Sequence, residues 1–382
     1  MRIIVGGVLS LSPFGPGTAW HHLHYADGLR RLGHDVYYVE QVEPHWCTDA
    51  VGRSCPFERS ANRTLFRRVM ERFGFTGKAT QIYGTGEAAR GLPLDSLLAA
   101  ARDADLLVNI SGHVKLESIL SSVKRRVYVD EDPVYTQLWR AEYGVDLGLG
   151  HHDVFFSQGL DIGTAATPIP DLGVRWHPLL PLFVSEHWPA RIDRSCRRFT
   201  TIASWGGFTD VHYRGEWYAS KYAEFLRFVE LPGRVDQELS IALRRHSEDD
   251  PRIRLLRANG WILTEGTRIR DLAAYQAYIG ASRAEIGVAK NAYVKARSGW
   301  LGDRAGHYLA SGKPVLAQST GFERHLPTGR GLLSFATVDE AIAGIESINR
   351  DYAAHCRAAR ELAEEYLDYR RVLPRMLELC TA

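Results

Sequence analysis

The sequence has few of the residues that build disulfide frameworks or zinc sites. Its 382 residues include five cysteines, an odd number, and no CxxC pair. Disulfide networks and cysteine-ligated zinc sites need paired or regularly spaced cysteines. The scattered positions are Cys47, Cys55, Cys196, Cys356 and Cys380. We therefore expect the reducing cytoplasm as the compartment, and no cysteine-bound metal.

Long apolar runs and a large net charge are also missing. No stretch reaches the roughly 18 apolar residues that span a bilayer. The apolar opening at residues 1–12 lacks a basic start and a small-residue cleavage site, so it indicates a first strand and not a signal peptide. With a net charge of +2, nothing predicts a nucleic-acid coat or a polybasic membrane surface. We expect no transmembrane segment and no nucleic-acid partner, and peripheral membrane contact stays open.

What the sequence does contain is two successive series of short apolar runs separated by helical patterns. The first series predicts strands at 3–8, 35–40, 106–110, 126–130 and 153–157, a helix at 19–32 and a basic amphipathic segment at 57–73. The second predicts strands at 199–204, 252–256, 261–264, 284–289, 315–317 and 332–335, and helices at 217–229, 271–279, 353–366 and 371–379. Strands that alternate with helices are typical of parallel sheets. Five prolines between residues 167 and 198 mark a connection. We therefore expect two parallel α/β domains with a cleft where their strand ends face each other.

Residues 298–321 form the most informative segment of the chain. The pattern predicts a glycine turn, a helix that opens near Asp303 and ends at Gly312, a buried strand, and a second glycine turn. Ser298 and Gly299 can leave backbone amides free at the start of that helix, which is a favourable place for an anion. Asp303 and His307 share one helix face, four residues apart. The segment therefore predicts a phosphate-binding loop, with an ordinary strand–helix unit as the alternative.

Two motifs in this order resemble the glycosyltransferases of the GT-B fold. The first motif is the glycine loop at residues 15–17, followed by a helix and a strand whose joining sequence is LRRLGHDVYYVE (residues 29–40). The second motif is the segment 298–321. The resemblance covers almost the whole chain, and its second half is most similar to a broad retaining family of bacterial enzymes. It implies an α/β protein of two facing Rossmann-like domains, with a C-terminal helix that crosses back to the first. The implied divisions are an acceptor domain at 1–195, a nucleotide-sugar donor domain at 196–366, and the crossing helix at 367–382.

One departure from that family concerns its two glutamates, which lie eight residues apart around the donor loop. Counted back from Gly312, their places hold Gly299 and His307 here. Asp303 is the nearest substitute. The fold expectation is unaffected, but the donor geometry and the retaining outcome stay open.

The resemblance implies that the departing diphosphate is neutralised by helix amides and cations, with no metal or other cofactor. Lys290 is the first choice for the diphosphate because it follows the predicted strand 284–289, and Arg304 is the second because it lies in the first turn of a helix. The complete set of implied donor-binding residues is Gly206, Lys290, Ser298, Gly299, Asp303, Arg304 and Gly321. Surface cations and ordinary turns are the alternative for each.

For a catalytic base, the sequence offers polar residues at strand ends of the first domain. His113 follows the strand at 106–110, Asp132 follows the strand at 126–130, and His21 opens the first helix after the glycine loop. We rank them in that order. The triplet at 130–132 also matches an Asp-x-Asp metal motif, but the resemblance places it in the acceptor domain, away from the diphosphate.

The sequence therefore predicts an enzyme that transfers a sugar from a nucleotide diphosphate to a hydroxyl of a small molecule or glycan. Three alternatives remain: a nucleotide-sugar epimerase, a DNA-base glycosyltransferase, and a catalytically silent binder of nucleotide sugars. The base, the sugar, the acceptor and the stereochemical outcome are not determined by the sequence.

Overall fold

The structure is a computed structural model that describes residues 1–204, 208–244 and 249–381. Within these residues, no helix combines the length and the apolar character needed to cross a membrane. Two large sheets, each covered by helices, dominate the fold.

The first sheet has eight strands in the order β4-β3-β2-β1-β5-β6-β7-β8. Its strands are β1 (Arg2–Gly7), β2 (Asp35–Val42), β3 (Ala79–Tyr83), β4 (Ala88–Gly91), β5 (Leu106–Ile110), β6 (Arg126–Asp130), β7 (Val154–Ser157) and β8 (Trp176–Pro178). All neighbouring pairs are parallel except β3 and β4. The helices are α1 (Pro16–Arg31), α2 (Ala61–Arg72), α3 (Leu94–Arg102), α4 (Glu117–Leu120) and α5 (Tyr135–Tyr143). The central strands are buried along nearly their full length, as expected for parallel strands covered on both faces.

The second sheet has six parallel strands in the order β13-β12-β9-β14-β15-β16. They are β9 (Phe199–Ser204), β12 (Leu239–Arg244), β13 (Ile262–Glu265), β14 (Ala284–Gly287), β15 (Val315–Gln318) and β16 (Leu332–Phe335), and a separate hairpin pairs β10 (Val211–Tyr213) with β11 (Glu216–Tyr218). The helices are α6 (Lys221–Arg227), α7 (Pro251–Ala258), α8 (Leu272–Gly280), α9 (Asn291–Ala296), α10 (Asp303–Ala310), α11 (Val338–Arg350), α12 (Tyr352–Leu362) and α13 (Tyr369–Thr381). The expected pair of parallel α/β domains is confirmed. Since the sheets change between Pro178 and Phe199, the division at residue 195 stays a prediction for the exact boundary.

Three predictions about local structure are wrong. Residues 252–256 lie in helix α7 and not in a strand, because Asp250 caps the helix by accepting from the amide of Arg252 and Pro251 occupies its first position. Strand β9 lies between β12 and β14, and the sequence analysis missed β12. The helix expected at 217–229 is divided between β11 and the shorter α6, and β14 ends at Gly287, before the expected residue 289.

The C-terminal helix α13 crosses back and packs on α1 of the first domain. The helices approach closely at Gly28, where a Cβ atom would lie 2.8 Å from Cδ1 of Leu373. The backbone of Phe183 pairs with Leu367 and Tyr369 on the way. The chain turns at Asp368, whose ψ is 138°, so the helix break lies before α13, and Pro374 lies inside that helix. Helix α1 thus packs on α8, α10 and α13 and joins both domains in one core.

Candidate active site

A cleft of about 550 Å³ lies between the two domains. Ends of strands and first turns of helices from both domains line it. The first turn of α1 (residues 15–18) and the first turn of α10 (residues 302–304) both line it. Helix N-termini carry partial positive charge and unpaired amides. Six of the predicted site residues also line the cleft: His21, His113, Asp132, Lys290, Asp303 and Arg304.

A cation that the sequence analysis missed, Lys221, also lines the cleft. In the described part of the chain, Lys221 forms no hydrogen bond or ion pair. Burial, together with the positive charges of Arg304 and Lys290, lowers the pKa of Lys221 well below its ordinary value. Glu285 and Asp303 offset this effect only in part, and an anion bound in the cleft would add further opposite charge. The sequence does carry one signal for this position: Ser220 is a typical N-cap residue, which indicates that a helix begins at Lys221. The helix predicted at 217–229 included Ser220 in its interior, so this signal was not used.

Arg304 is held in the wall of the cleft by two acceptors. Its Nε donates to Oε1 of Glu285 at 2.5 Å and its Nη1 donates to the carbonyl oxygen of Ile202 at 2.7 Å. Burial opposes the charged form, but Glu285 raises the pKa of Arg304 above its ordinary value. The guanidinium is therefore fixed and permanently charged, as a diphosphate-binding group requires.

Lys290 has a counter-ion of its own. Its Nζ lies 3.1 Å from Oδ1 of Asp132 and 2.9 Å from the hydroxyl of Tyr293, whose hydroxyl also donates to Asp132. The ring of Phe208 lies 3.8 Å from Nζ. Lys290 immediately precedes α9, so it belongs to a helix start and not to a strand end. Its role in diphosphate binding stays a prediction, and its present contacts connect the two domains across the cleft.

His21 and His22 converge on one carboxylate, that of Glu131. The Nε2 atoms of His21 and His22 lie 3.1 and 3.2 Å from Oε2 of Glu131. Burial would raise the pKa of Glu131, but the contacts with His22 and His21 hold it well below its ordinary range. Burial would lower the pKa of His21, and the contact with Glu131 raises it instead. The sequence triplet at 130–132 includes Glu131, but the predicted base within it is Asp132.

His21, His22 and Glu131 could also be considered as a metal site. One possible ligand atom from each residue lies within 4.8 Å of the other two. The backbone amide of Val8 donates to Nδ1 of His22 at 2.8 Å. A neutral imidazole that accepts at Nδ1 carries its proton on Nε2. The Nε2 atom that faces Glu131 therefore has no lone pair for a metal, and the arrangement fits a proton-transfer site better than a metal site.

His113, the first choice for a base, lies against Trp46 with 5.9 Å between the ring centroids. Burial lowers the pKa of His113 to about 4, so its ring is neutral at neutral pH. His307, in contrast, does not share the cleft with Asp303. It is buried between the domains, with Nε2 at 3.1 Å from Nε2 of His24 and its ring stacked on Trp188.

Three further predicted donor residues, Ser298, Gly299 and Gly321, lie outside the lining of the cleft that the described residues form. The amide of Ser298 donates to the carbonyl of Tyr293 and that of Gly299 to the carbonyl of Thr320, so the expectation of free amides there is wrong. Gly206 lies outside the described residues. The binding role of all four stays a prediction.

Comparisons with known proteins return no matching family model and no matching curated protein. Solved structures do match. An alpha-glucosyltransferase in complex with UDP-glucose and DNA containing an abasic site has 13% identity and a TM-score of 0.63, covering 100% of this chain and 99% of its own. HepE of Anabaena with UDP-glucose has 12% identity and a TM-score of 0.60, covering 100% and 99%. Sucrose-phosphate synthase of Thermosynechococcus elongatus has 12% identity and a TM-score of 0.56, covering 99% and 98%. Over its whole length, the chain therefore has the GT-B fold that the resemblance of its sequence implied.

Proposed function

We propose that the chain is a glycosyltransferase that moves a sugar from a nucleotide diphosphate to a hydroxyl group without a metal ion. The observation that carries the proposal is Lys221, a cation in the cleft without a counter-ion among the described residues. A half-buried charge without an ion pair is costly unless a ligand supplies the opposite charge. A nucleotide diphosphate has the opposite charge, and two of the solved structures of the same fold contain UDP-glucose.

The diphosphate would lie between the first turns of α1 and α10, close to Lys221 and Arg304. Both helix starts line the cleft, and amides at helix N-termini favour phosphate oxygens. As the bond from the anomeric carbon to the diphosphate breaks, negative charge grows on the leaving oxygen. Fixed cations and amides stabilise that charge without reorganising.

The acceptor would be activated by His21. In this proposal Nδ1 of His21 takes the proton of the acceptor hydroxyl, and the hydroxyl oxygen forms the new bond to the anomeric carbon. The bonding electrons of the old linkage leave with the diphosphate. Glu131, hydrogen-bonded to Nε2 of His21, stabilises the imidazolium that forms.

The acceptor itself is a matter for experiment. The net charge of +2 argued against nucleic acid, but one of the matching structures contains DNA, so this exclusion is not supported. An acceptor panel should therefore include duplex DNA beside glycans and hydroxylated small molecules.

All five cysteines are free, which agrees with the proposed location in the cytoplasm.

The donor site is tested by calorimetric titration of nucleoside diphosphates into the wild type, Lys221→Ala and Lys124→Ala. A charge-assisted contact contributes about 1.5–3 kcal/mol, so we expect Lys221→Ala to weaken binding about 10- to 100-fold. Lys124 is exposed and pairs with Asp105 far from the cleft, so its variant should bind like the wild type. Equal affinities in all three proteins would contradict the proposed donor site.

Turnover separates the proposal from its alternatives. Transfer to an acceptor supports a glycosyltransferase, and interconversion of sugars without an acceptor supports an epimerase. Tight donor binding with neither transfer nor hydrolysis supports a silent binding protein.

A further inference from the structure

A chain of hydrogen bonds leads to Glu131, and it starts at a backbone amide that can act only as a donor. The backbone amide of Val8, just after β1, can only donate, and it donates to Nδ1 of His22 at 2.8 Å. His22 therefore keeps a lone pair on Nδ1 and carries its proton on Nε2. Nε2 lies 3.2 Å from Oε2 of Glu131 and donates to it. Protonation of His22 at Nδ1 would break the contact with Val8.

The same reasoning extends from Glu131 to His21. An ionised carboxylate only accepts hydrogen bonds, so the Nε2 atom of His21, 3.1 Å from Oε2, carries the proton. The side-chain amide nitrogen of Gln158 lies farther from this Nε2 atom, at 3.5 Å. The Nδ1 atom of His21 then has a lone pair. It is buried and has no hydrogen-bond partner in the described part of the chain, and His21 lines the cleft.

We propose that His22 is a positioning residue that, through Glu131, fixes the tautomer of His21 and leaves Nδ1 of His21 as the free base of the cleft. This inference rests on the proposed function, in which His21 accepts the proton of the acceptor hydroxyl. His22 does not touch the reacting atoms. It keeps Glu131 ionised and oriented, which in turn determines how strongly His21 holds a proton.

The backbone at Gly7 provides the space that this arrangement needs. A Cβ atom on Gly7 would lie 2.3 Å from Nδ1 of His22 and 2.9 Å from the hydroxyl of Tyr38. Both distances are too short for any side chain. A glycine at the end of β1 therefore lets the His22 ring lie against the strand, in reach of the Val8 amide.

Other charged and titratable groups also act on His21 and Glu131, and they must stay unchanged in a test. They lie on α1, β2, β6, α10 and the loops after β5, β6 and β14: His24, Tyr25, Tyr38, His113, Tyr128, Asp132, Lys290, Asp303 and His307. Replacing His22 alone leaves this environment in place.

The test compares His22→Leu, which cannot donate to Glu131, with His22→Gln, whose amide can. His151→Gln is the matched control, since His151 is exposed. The first measurement is the titration of the His21 ring by NMR, and the second is the pH profile of kcat/KM for transfer. Loss of one hydrogen bond to the carboxylate makes it easier for the His21–Glu131 pair to bind a proton. We expect the titration of His21 and the acid limb of the profile to move upward by about one pH unit in His22→Leu, and by less in His22→Gln.

The outcomes separate this inference from the proposed function. An unchanged His21 titration in His22→Leu overturns it, whether or not the protein transfers sugar. A uniform loss of rate at every pH, with the acid limb unmoved, shows that His22 is only structural and also overturns it. Failure of the wild type to transfer any sugar refutes the proposed function, while the NMR titration still decides whether His22 controls His21.

Discussion

The Nζ atom of Lys290 in the second domain lies 3.1 Å from Oδ1 of Asp132 in the first, so one ion pair spans the cleft. The side chains of Lys290 and Asp132 are 21% and 31% exposed, and Tyr293 donates to the same carboxylate oxygen. The pair therefore connects the two domains at the cleft that both residues line.

We predict that Asp132→Asn lowers the free energy of unfolding because it leaves Lys290 without its counter-ion. Removing one partner of a fully buried pair costs about 3–5 kcal/mol. Partial exposure reduces this to about 1–2 kcal/mol here. Urea unfolding measures the change, and the double variant Asp132→Asn/Lys290→Met should recover part of it. A double variant whose loss equals the sum of the two single losses would show that the pair is not coupled.

A second prediction is that transfer requires no divalent metal. The proton on Nε2 of His22, fixed by the amide of Val8, removes one of the three ligands that the His21–His22–Glu131 group would need. We expect activity to survive a chelator and to gain nothing from magnesium or manganese. Activity that is lost with the chelator and restored by either ion would contradict the assignment.

The ion pair and the histidine–carboxylate group show which features of the fold and the site could be predicted from the sequence. It correctly predicted the two parallel α/β domains and placed residues from both at one cleft, because strand ends and glycine turns follow from local patterns. It could not choose within the triplet Asp130, Glu131 and Asp132. Successive side chains at the end of a strand point in opposite directions: Asp130 is buried with Thr136, Gln137 and Ser157, whereas Glu131 reaches α1.

Long-range packing explains the other failures. Asp303 and His307 are neighbours on one helix face, yet only Asp303 lines the cleft. His307 instead packs on His24 of α1 and on Trp188 in the connection between the two sheets. Lys221 became visible as a site residue only when the fold placed it beside Arg304. Ser220 indicates the helix start that carries Lys221, but neither contact can be predicted from the local sequence.

A third prediction concerns the pH dependence of stability at His307. Burial lowers the pKa of His307 to about 4, below the value of about 6.5 in the unfolded chain. Between these values the unfolded chain binds more protons, so the stability from His307 is complete above pH 6.5 and is lost as the pH falls towards 4. The full loss is about 3 kcal/mol.

The measurement is a series of urea unfolding curves from pH 7 to pH 4 for the wild type and His307→Gln. Glutamine cannot titrate, so the variant should lose less stability over this interval. His24, whose pKa burial also lowers, remains in both proteins. Parallel curves for the two proteins would show that His307 does not contribute to the acid sensitivity.

The last prediction is that the crossing helix α13 stabilises the first domain. Leu373 is fully buried and lies against Gly28 of α1, whereas Leu379 on the same helix is 40% exposed. Truncating a buried leucine costs about 2–5 kcal/mol because it leaves a cavity. We therefore expect Leu373→Ala to lower the free energy of unfolding by about that amount, and Leu379→Ala to change it little. Hydrogen exchange locates the effect: amides of α1 should lose protection in Leu373→Ala. Loss of protection confined to residues 199–350 would show that α13 only covers the second domain, and the crossing helix would then have no stabilising role in the first.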